Sequence, residues 1–200
     1  MNVKGSWNQA IFSPDWLARK VLSGKEPELQ VGFSDRFLLR FSTTDAVVVV
    51  APTNLRVAPL GTKASDVWDE PFRILLGLLR ALPETPAHTL EINAGYELPH
   101  TVGERVLGGA MKPLHLPGDS VALAPSSTRL RKTFAHPPGE VHVTLRYNLT
   151  DAAVDVTHEF TAAEDPPVAS WAAELLETVF RRRIAESRKF ANAAFGALEA

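Results

Sequence analysis

Residues 69–98, DEPFRILLGLLRALPETPAHTLEINAGYEL, constrain the fold more than any other stretch of the chain. Asp69 stands where a helix cap belongs, and Pro71 is tolerable only in a first turn. Phe72, Leu75, Leu76, Leu79 and Leu82 follow at helical spacing and define a wide apolar face. Ile74 and Leu78 widen it further, so this helix is expected to be buried on more than one side. Gly77 either permits a close crossing or simply weakens the helix. Pro83 and Pro86 mark a corner, after which residues 89–98 return as a strand. The segment dictates architecture and carries no catalytic signature.

Upstream, residues 9–12 read as a short strand. Ser13-Pro14-Asp15 is a strong helix start, with Ser13 as cap, Pro14 first in the helix and Asp15 favoured by the helix dipole. That helix is expected to run to about residue 22 and stop at Gly24, with Trp16, Leu17 and Val21 toward the core. From 29 to 41 the odd positions Leu29, Val31, Phe33, Phe37, Leu39 and Phe41 are apolar, a period-2 strand pattern with a possible break at Ser34-Asp35. Residues 46–51 form a β-branched run suited to a strand covered on both faces, and 55–58 resume as a strand after the turn at Pro52-Thr53-Asn54. The order through residue 98 is therefore strand, helix, two or three strands, helix, strand, close to the ferredoxin-like arrangement.

Residues 99–139 are rich in Pro and Gly, with short strands expected at 121–123 and 128–134. From Glu140 the pattern sharpens. With Thr150 and Asp151 in a hairpin turn, residues whose numbers sum to 301 face each other. Val143 then meets His158, Leu145 meets Val156 and Tyr147 meets Val154, while His142 meets Glu159 and Arg146 meets Asp155 on the other face. Apolar and charged pairs segregate, which fixes the register. After Asp165-Pro166-Pro167 a helix of up to about 30 residues, about 45 Å long, is expected. Its first half is expected to cover the second sheet, leaving the remainder to project or to meet another chain.

Two hundred residues with 45% apolar and 22% charged content can bury a core without staples. The absence of cysteine removes disulfides, thiolate nucleophiles and Cys-ligated zinc together. A formal charge of -2 gives no global field favouring nucleic acid or acidic membrane. The first 20 residues lack the apolar core of a signal peptide, and the longest apolar run, residues 46–52, falls far short of the roughly 20 residues that span a bilayer. A cytoplasmic protein with no membrane partner is expected.

Chemistry-bearing patterns are few. His88, His100, His115, His136, His142 and His158 include no HxH or HExxH pair, so no local metal site and no cofactor are expected, which leaves a site assembled from distant histidines as the one metal-binding alternative. No GxSxG elbow, phosphate-binding lysine loop or GxGxxG turn occurs, so no catalytic residue is assigned. An enzyme site assembled from scattered groups such as His142, Glu159 and Arg146 is a third reading behind the two below. Arg181, Arg182 and Arg183, with Arg188 and Lys189, form the one concentrated basic cluster. It reads as a phosphate-contacting helix face or as a solvated face balanced by Glu177 and Glu186. Phe190, Phe195 and Leu198 continue a weak apolar strip and are the candidate interface residues. Trp7 and Trp68 suit partial burial or an interface anchor.

FSPDWLA, TNLRVAP, PFRILLGLLRALPETPAHTLEIN and the hairpin GEVHVTLRYNLTDAAVDVTHEF, taken in order, resemble a family of bacterial α+β proteins of unknown function. The resemblance implies a two-part α+β fold and a bacterial cytoplasmic setting, and no activity. The resulting expectation is a single α+β unit of two related halves, about 1–100 and 101–200, with antiparallel-rich sheets, packed helices and a long C-terminal helix. The expected function is a non-enzymatic interaction or scaffold protein, a homodimer or a subunit of a bacterial multiprotein assembly. The alternative is a nucleic-acid-associated subunit using the basic helix.

Overall fold

The alternating run at 29–41 is a hairpin, β2 (Glu28–Phe33) against β3 (Phe37–Ser42). In this computed structural model, residues 1–33, 37–61, 67–97, 127–148, 152–163 and 165–199 are described. Among them the fold is α+β, with nine strands in one antiparallel sheet and three α-helices, the last long and C-terminal. The further elements are β1 (Asn2–Gly5), a 3₁₀ turn (Gln9–Ile11), α1 (Pro14–Lys20), β4 (Ala46–Ala51), β5 (Asn54–Pro59), α2 (Asp69–Ala81) and β6 (Ala87–Glu97). They are followed by β7 (Ser127–His136), β8 (Gly139–Asn148), β9 (Ala152–Thr161) and α3 (Ala169–Glu199). The strand order is β2-β3-β4-β5-β1-β6-β9-β8-β7. The first 97 residues keep the expected order of strand, helix, strands, helix, strand, with four strands in the middle. The expected strand at 121–123 lies outside the described residues.

The chain divides into two compact units, Met1–Ile92 with Glu159–Arg181, and Asn93–His158 with Arg182–Ala200. In the first unit, strand registers align one apolar row across the sheet. It runs Val31, Leu39, Val50, Leu55, Val3, Leu90. A second row runs Leu29, Phe41, Val48, Val57. Every member from β3 onward is buried. α2 covers β4 and β5 on this face and crosses α1. Ile74, Leu75, Leu76, Leu78 and Leu79 of α2 are all buried, as its two-sided apolar pattern requires. Gly77 does permit a close crossing, since a Cβ there stands 3.2 Å from Val21 Cγ1.

Capping holds at α1, where Ser13 Oγ accepts from Trp16 N at 3.1 Å. At α2 the cap position falls on Trp68, without a side-chain hydrogen bond, and Asp69 sits in the first turn. Residues 9–11 are helical rather than strand because Asn8 Oδ1 accepts from Ala10 N at 3.1 Å, capping a tight turn. Trp7 is buried and donates its indole N–H to Val3 O at 3.2 Å. Phe180 of α3 stacks on Phe72 at 4.7 Å and meets Trp68 edge-on at 6.4 Å.

In the second unit, β7 and β8 pair along their full length, from Ser127↔Asn148 to His136↔Gly139. Arg146 pairs with Asp155, as the expected β8–β9 register requires. Val141, Val154, Val156 and Ala191 form the core, with Tyr96, Val143, Leu145 and Phe190 packed on it. This corrects the expectation for the long helix. Its residues 169–181 belong to the first unit, and its later turns help build the core of the second. The sparse strip containing Phe190 and Ala191 suffices because small alanines allow close packing on a flat strand face.

Candidate functional site

Two places stand out among the described residues, one in each unit. In the first unit, β2 is the terminal strand of the sheet. Its apolar row leaves cover there. Leu39 is 7% exposed, yet its cross-strand neighbour Val31 is 47% exposed. Leu29 at 39% and Phe37 at 41% complete an open apolar strip on the same face. Glu28 and Gln30 occupy the opposite face and bond to each other at 3.3 Å. β2 carries no Lys, Arg or Pro, the residues that ordinarily blunt an edge strand. β7, the terminal strand of the second unit, is blunted in that way. Arg131 and Lys132 are exposed on it, and Lys132 Nζ sits 5.0 Å from the Phe134 ring centroid.

In the second unit, one carboxylate gathers three donors. Glu186 Oε2 receives Arg183 NH1 at 2.6 Å and meets His136 Nε2 at 3.0 Å, while Oε1 receives Arg182 Nε at 2.8 Å. Burial alone raises the Glu186 pKa, but hydrogen bonds from Arg182, His136 and Arg183, with the Arg183 charge, bring it down to about 2. Arg183 also donates to Pro137 O at 2.8 Å, so the Pro137-Pro138 turn that joins β7 to β8 presents its carbonyl to the helix. His158 is 1% exposed and its Nε2 lies 3.0 Å from Ser187 Oγ. Ser187 Oγ in turn donates to Arg183 O at 2.8 Å. The hydroxyl proton is thereby spent, so His158 Nε2 carries the ring proton and Nδ1 the lone pair. Burial first, then the charge of Arg183, lowers the His158 pKa to about 4, and the ring is neutral at pH 7. Buried Ser187, its proton committed to a backbone carbonyl, is no activated nucleophile.

The basic cluster read from sequence is split by this arrangement. Arg181, Arg182, Arg188 and Lys189 are exposed, but Arg183 is buried, which corrects its assignment to a phosphate-facing surface. Helical period explains it, since Arg183, Glu186, Ser187 and Phe190 share the face turned to the sheet. Glu177, expected to balance Arg181, pairs with Arg80 at 2.6 Å instead. Of the candidate interface residues, Phe190 packs on the second unit's core. The side chains of Phe195 and Leu198 lie outside the described residues.

His142 meets Thr133 Oγ1 at 2.9 Å, opposite in face to His158, and Glu159 lies 3.9 Å from Lys4. A shallow depression of about 430 Å³ in the first unit is lined by Ser6, Asn8 and residues 81–86, with Glu84 its sole charged side chain. No described helix is long and apolar enough to cross a membrane.

Sequence reasoning missed both places. Alternation marked Leu29 and Val31 as core-facing, and only the sheet order reveals an edge. The hairpin register already set His158 beside Val154 and Val156, and assigning the later turns of α3 to that face would have brought Glu186 over it. Comparison with family models, with curated proteins and with solved structures yields no match for this chain.

Proposed function

We propose that this protein is a non-enzymatic interaction module that self-associates along β2 as a homodimer, alone or as a subunit of a larger multiprotein assembly. The supporting observation is the apolar row that ends in exposed Val31 on an edge strand that carries no Lys, Arg or Pro. β2 is self-complementary. Antiparallel pairing with a second copy, Gln30 opposite Gln30, sets each Leu29 opposite the partner's Val31 and continues both apolar rows. Its six residues offer about six backbone hydrogen bonds, each worth about 0.5–1.5 kcal/mol net, beside the burial of Leu29 and Val31. That scale suits reversible association.

The nucleic-acid reading has weaker support, because Arg183 is buried and Arg182 is engaged by Glu186. Light-scattering chromatography on the full chain tests the β2 reading. A dimer is expected, and Val31→Lys is expected to run as a folded monomer, because each lysine would face the partner's Leu29 and lie diagonal to the partner's own lysine at the seam. A monomer at every concentration, or a dimer indifferent to Val31→Lys, sinks the reading. Truncation after residue 183 is the wrong test, since it removes Phe190 and Ala191 from the core of the second unit.

A further inference from the structure

We propose that His136, His158 and Glu186 bind a borderline divalent transition metal of the zinc class. One donor atom from each residue lies within 4.8 Å of the others. Donors around zinc, with bonds of about 2.1 Å, stand roughly 3.4 Å apart in a tetrahedron, so the set must close by at most about 1.4 Å. The side chains of His136 and Glu186 are 29% and 19% exposed, so both have room to turn and the ion has a way in. Two imidazoles and one carboxylate suit zinc, cobalt or nickel over calcium or magnesium, and they leave a position open for water.

A second observation points the same way. Among the described residues, His158 Nδ1 is buried without a hydrogen-bond partner. Because Ser187 Oγ gives its proton to Arg183 O, this nitrogen is a bare lone pair. An unpaired buried acceptor is costly, and a cation relieves it. The Nε2–H to Ser187 contact is the outer bond that metal-ligating histidines ordinarily make, fixing tautomer and ring orientation. The proton between His136 Nε2 and Glu186 Oε2 moves to Nδ1 of the same ring or to solvent as the metal takes its place. Arg183, bonded to Glu186, opposes a dication and weakens its binding.

The test titrates chelator-stripped full chain with Zn²⁺ against a chromophoric competitor, and with Co²⁺ followed by visible absorption. One equivalent is expected, with the d–d bands of low-coordinate cobalt. His136→Asn and Glu186→Gln are each expected to lose at least tenfold in affinity, and Ser187→Ala roughly 10–100-fold through the outer bond. His88→Asn and His142→Asn should bind as wild type does. His136 is partly exposed, so His136→Asn keeps the fold, and Zn²⁺ should raise the melting temperature of wild type but not of this variant. Absence of a one-equivalent site in wild type overturns the proposal. So does a loss that follows His88 or His142, or a His136→Asn chain that binds undiminished.

Discussion

Gly5 sits in the centre of the first unit's sheet, where β1 meets β6 through a register shift between Lys4 and Gly5. A Cβ on Gly5 falls 2.2 Å from Pro86 O, 3.0 Å from Ala87 Cα and 3.1 Å from Pro86 C. All three are backbone atoms, so no side chain can swing aside. Restoring a carbon–oxygen contact requires the two strands to part by about 1 Å. Pro86 O accepts from Ser6 N at 2.9 Å, and such a displacement takes that bond beyond hydrogen-bonding range. Ser6 and Pro86 are both exposed, so losing it costs about 0.5–1.5 kcal/mol net, and the local overpacking adds about 1–3 kcal/mol. The entropy that alanine removes from the unfolded chain returns about 0.4–1 kcal/mol. Gly5→Ala is therefore expected to destabilise by about 2 kcal/mol, within a span of roughly 0.5–4 kcal/mol, measured by urea unfolding followed by far-UV circular dichroism. Gly24→Ala is the reference. Its φ of +86° disfavours a side chain but nothing lies within 4 Å, so its cost is about 1 kcal/mol. A Gly5→Ala chain as stable as Gly24→Ala refutes the argument.

Phe180→Ala removes the ring stacked on Phe72 and edge-on to Trp68, and is expected to cost about 3–5 kcal/mol in urea unfolding and to change tryptophan fluorescence. A loss below ~1 kcal/mol would show that α3 is not anchored there. Glu70 accepts from both Arg73 Nε and NH2, and this bond lowers its pKa below 4.5. Because the folded state holds the carboxylate ionised, the bond's contribution is present above the unfolded pKa and lost as pH falls through the folded one. The stability advantage of wild type over Glu70→Gln, at most about 1 kcal/mol at neutral pH, should close on acidification, and a gap that persists in strong acid contradicts this assignment.

Elements whose pattern is local were readable from the chain, and elements defined by their neighbours were not. Ser13, Pro14 and the α2 leucines act within one or two turns, and they stand where spacing put them. The run from 29 to 41 keeps one alternation on both sides of its expected break for a definite reason. Residues paired across the β2–β3 hairpin sum to 70, an even number, so odd residues stay on one face through the turn. One hairpin therefore carries the alternation of one long strand. β1 has only four residues and a single buried apolar side chain, too little for a periodic signal. The β8–β9 pairing was legible because charges segregate from apolar residues along it. The His136, His158 and Glu186 cluster was not, since its members lie 22 and 28 residues apart in sequence and meet only through the fold.

The interleaving of the two units has a consequence during synthesis. Residues 159–181 complete the first unit, so its first 92 residues wait for 89 more to be made. At about 5–20 residues per second this is roughly 4–18 s, during which Phe72 of α2 lacks Phe180, the ring that stacks on it. A nascent chain in that interval is a natural client for a holding chaperone. It is also the species most exposed to premature strand pairing, because β2 is already made and has no charged residue other than Glu28 to discourage a partner.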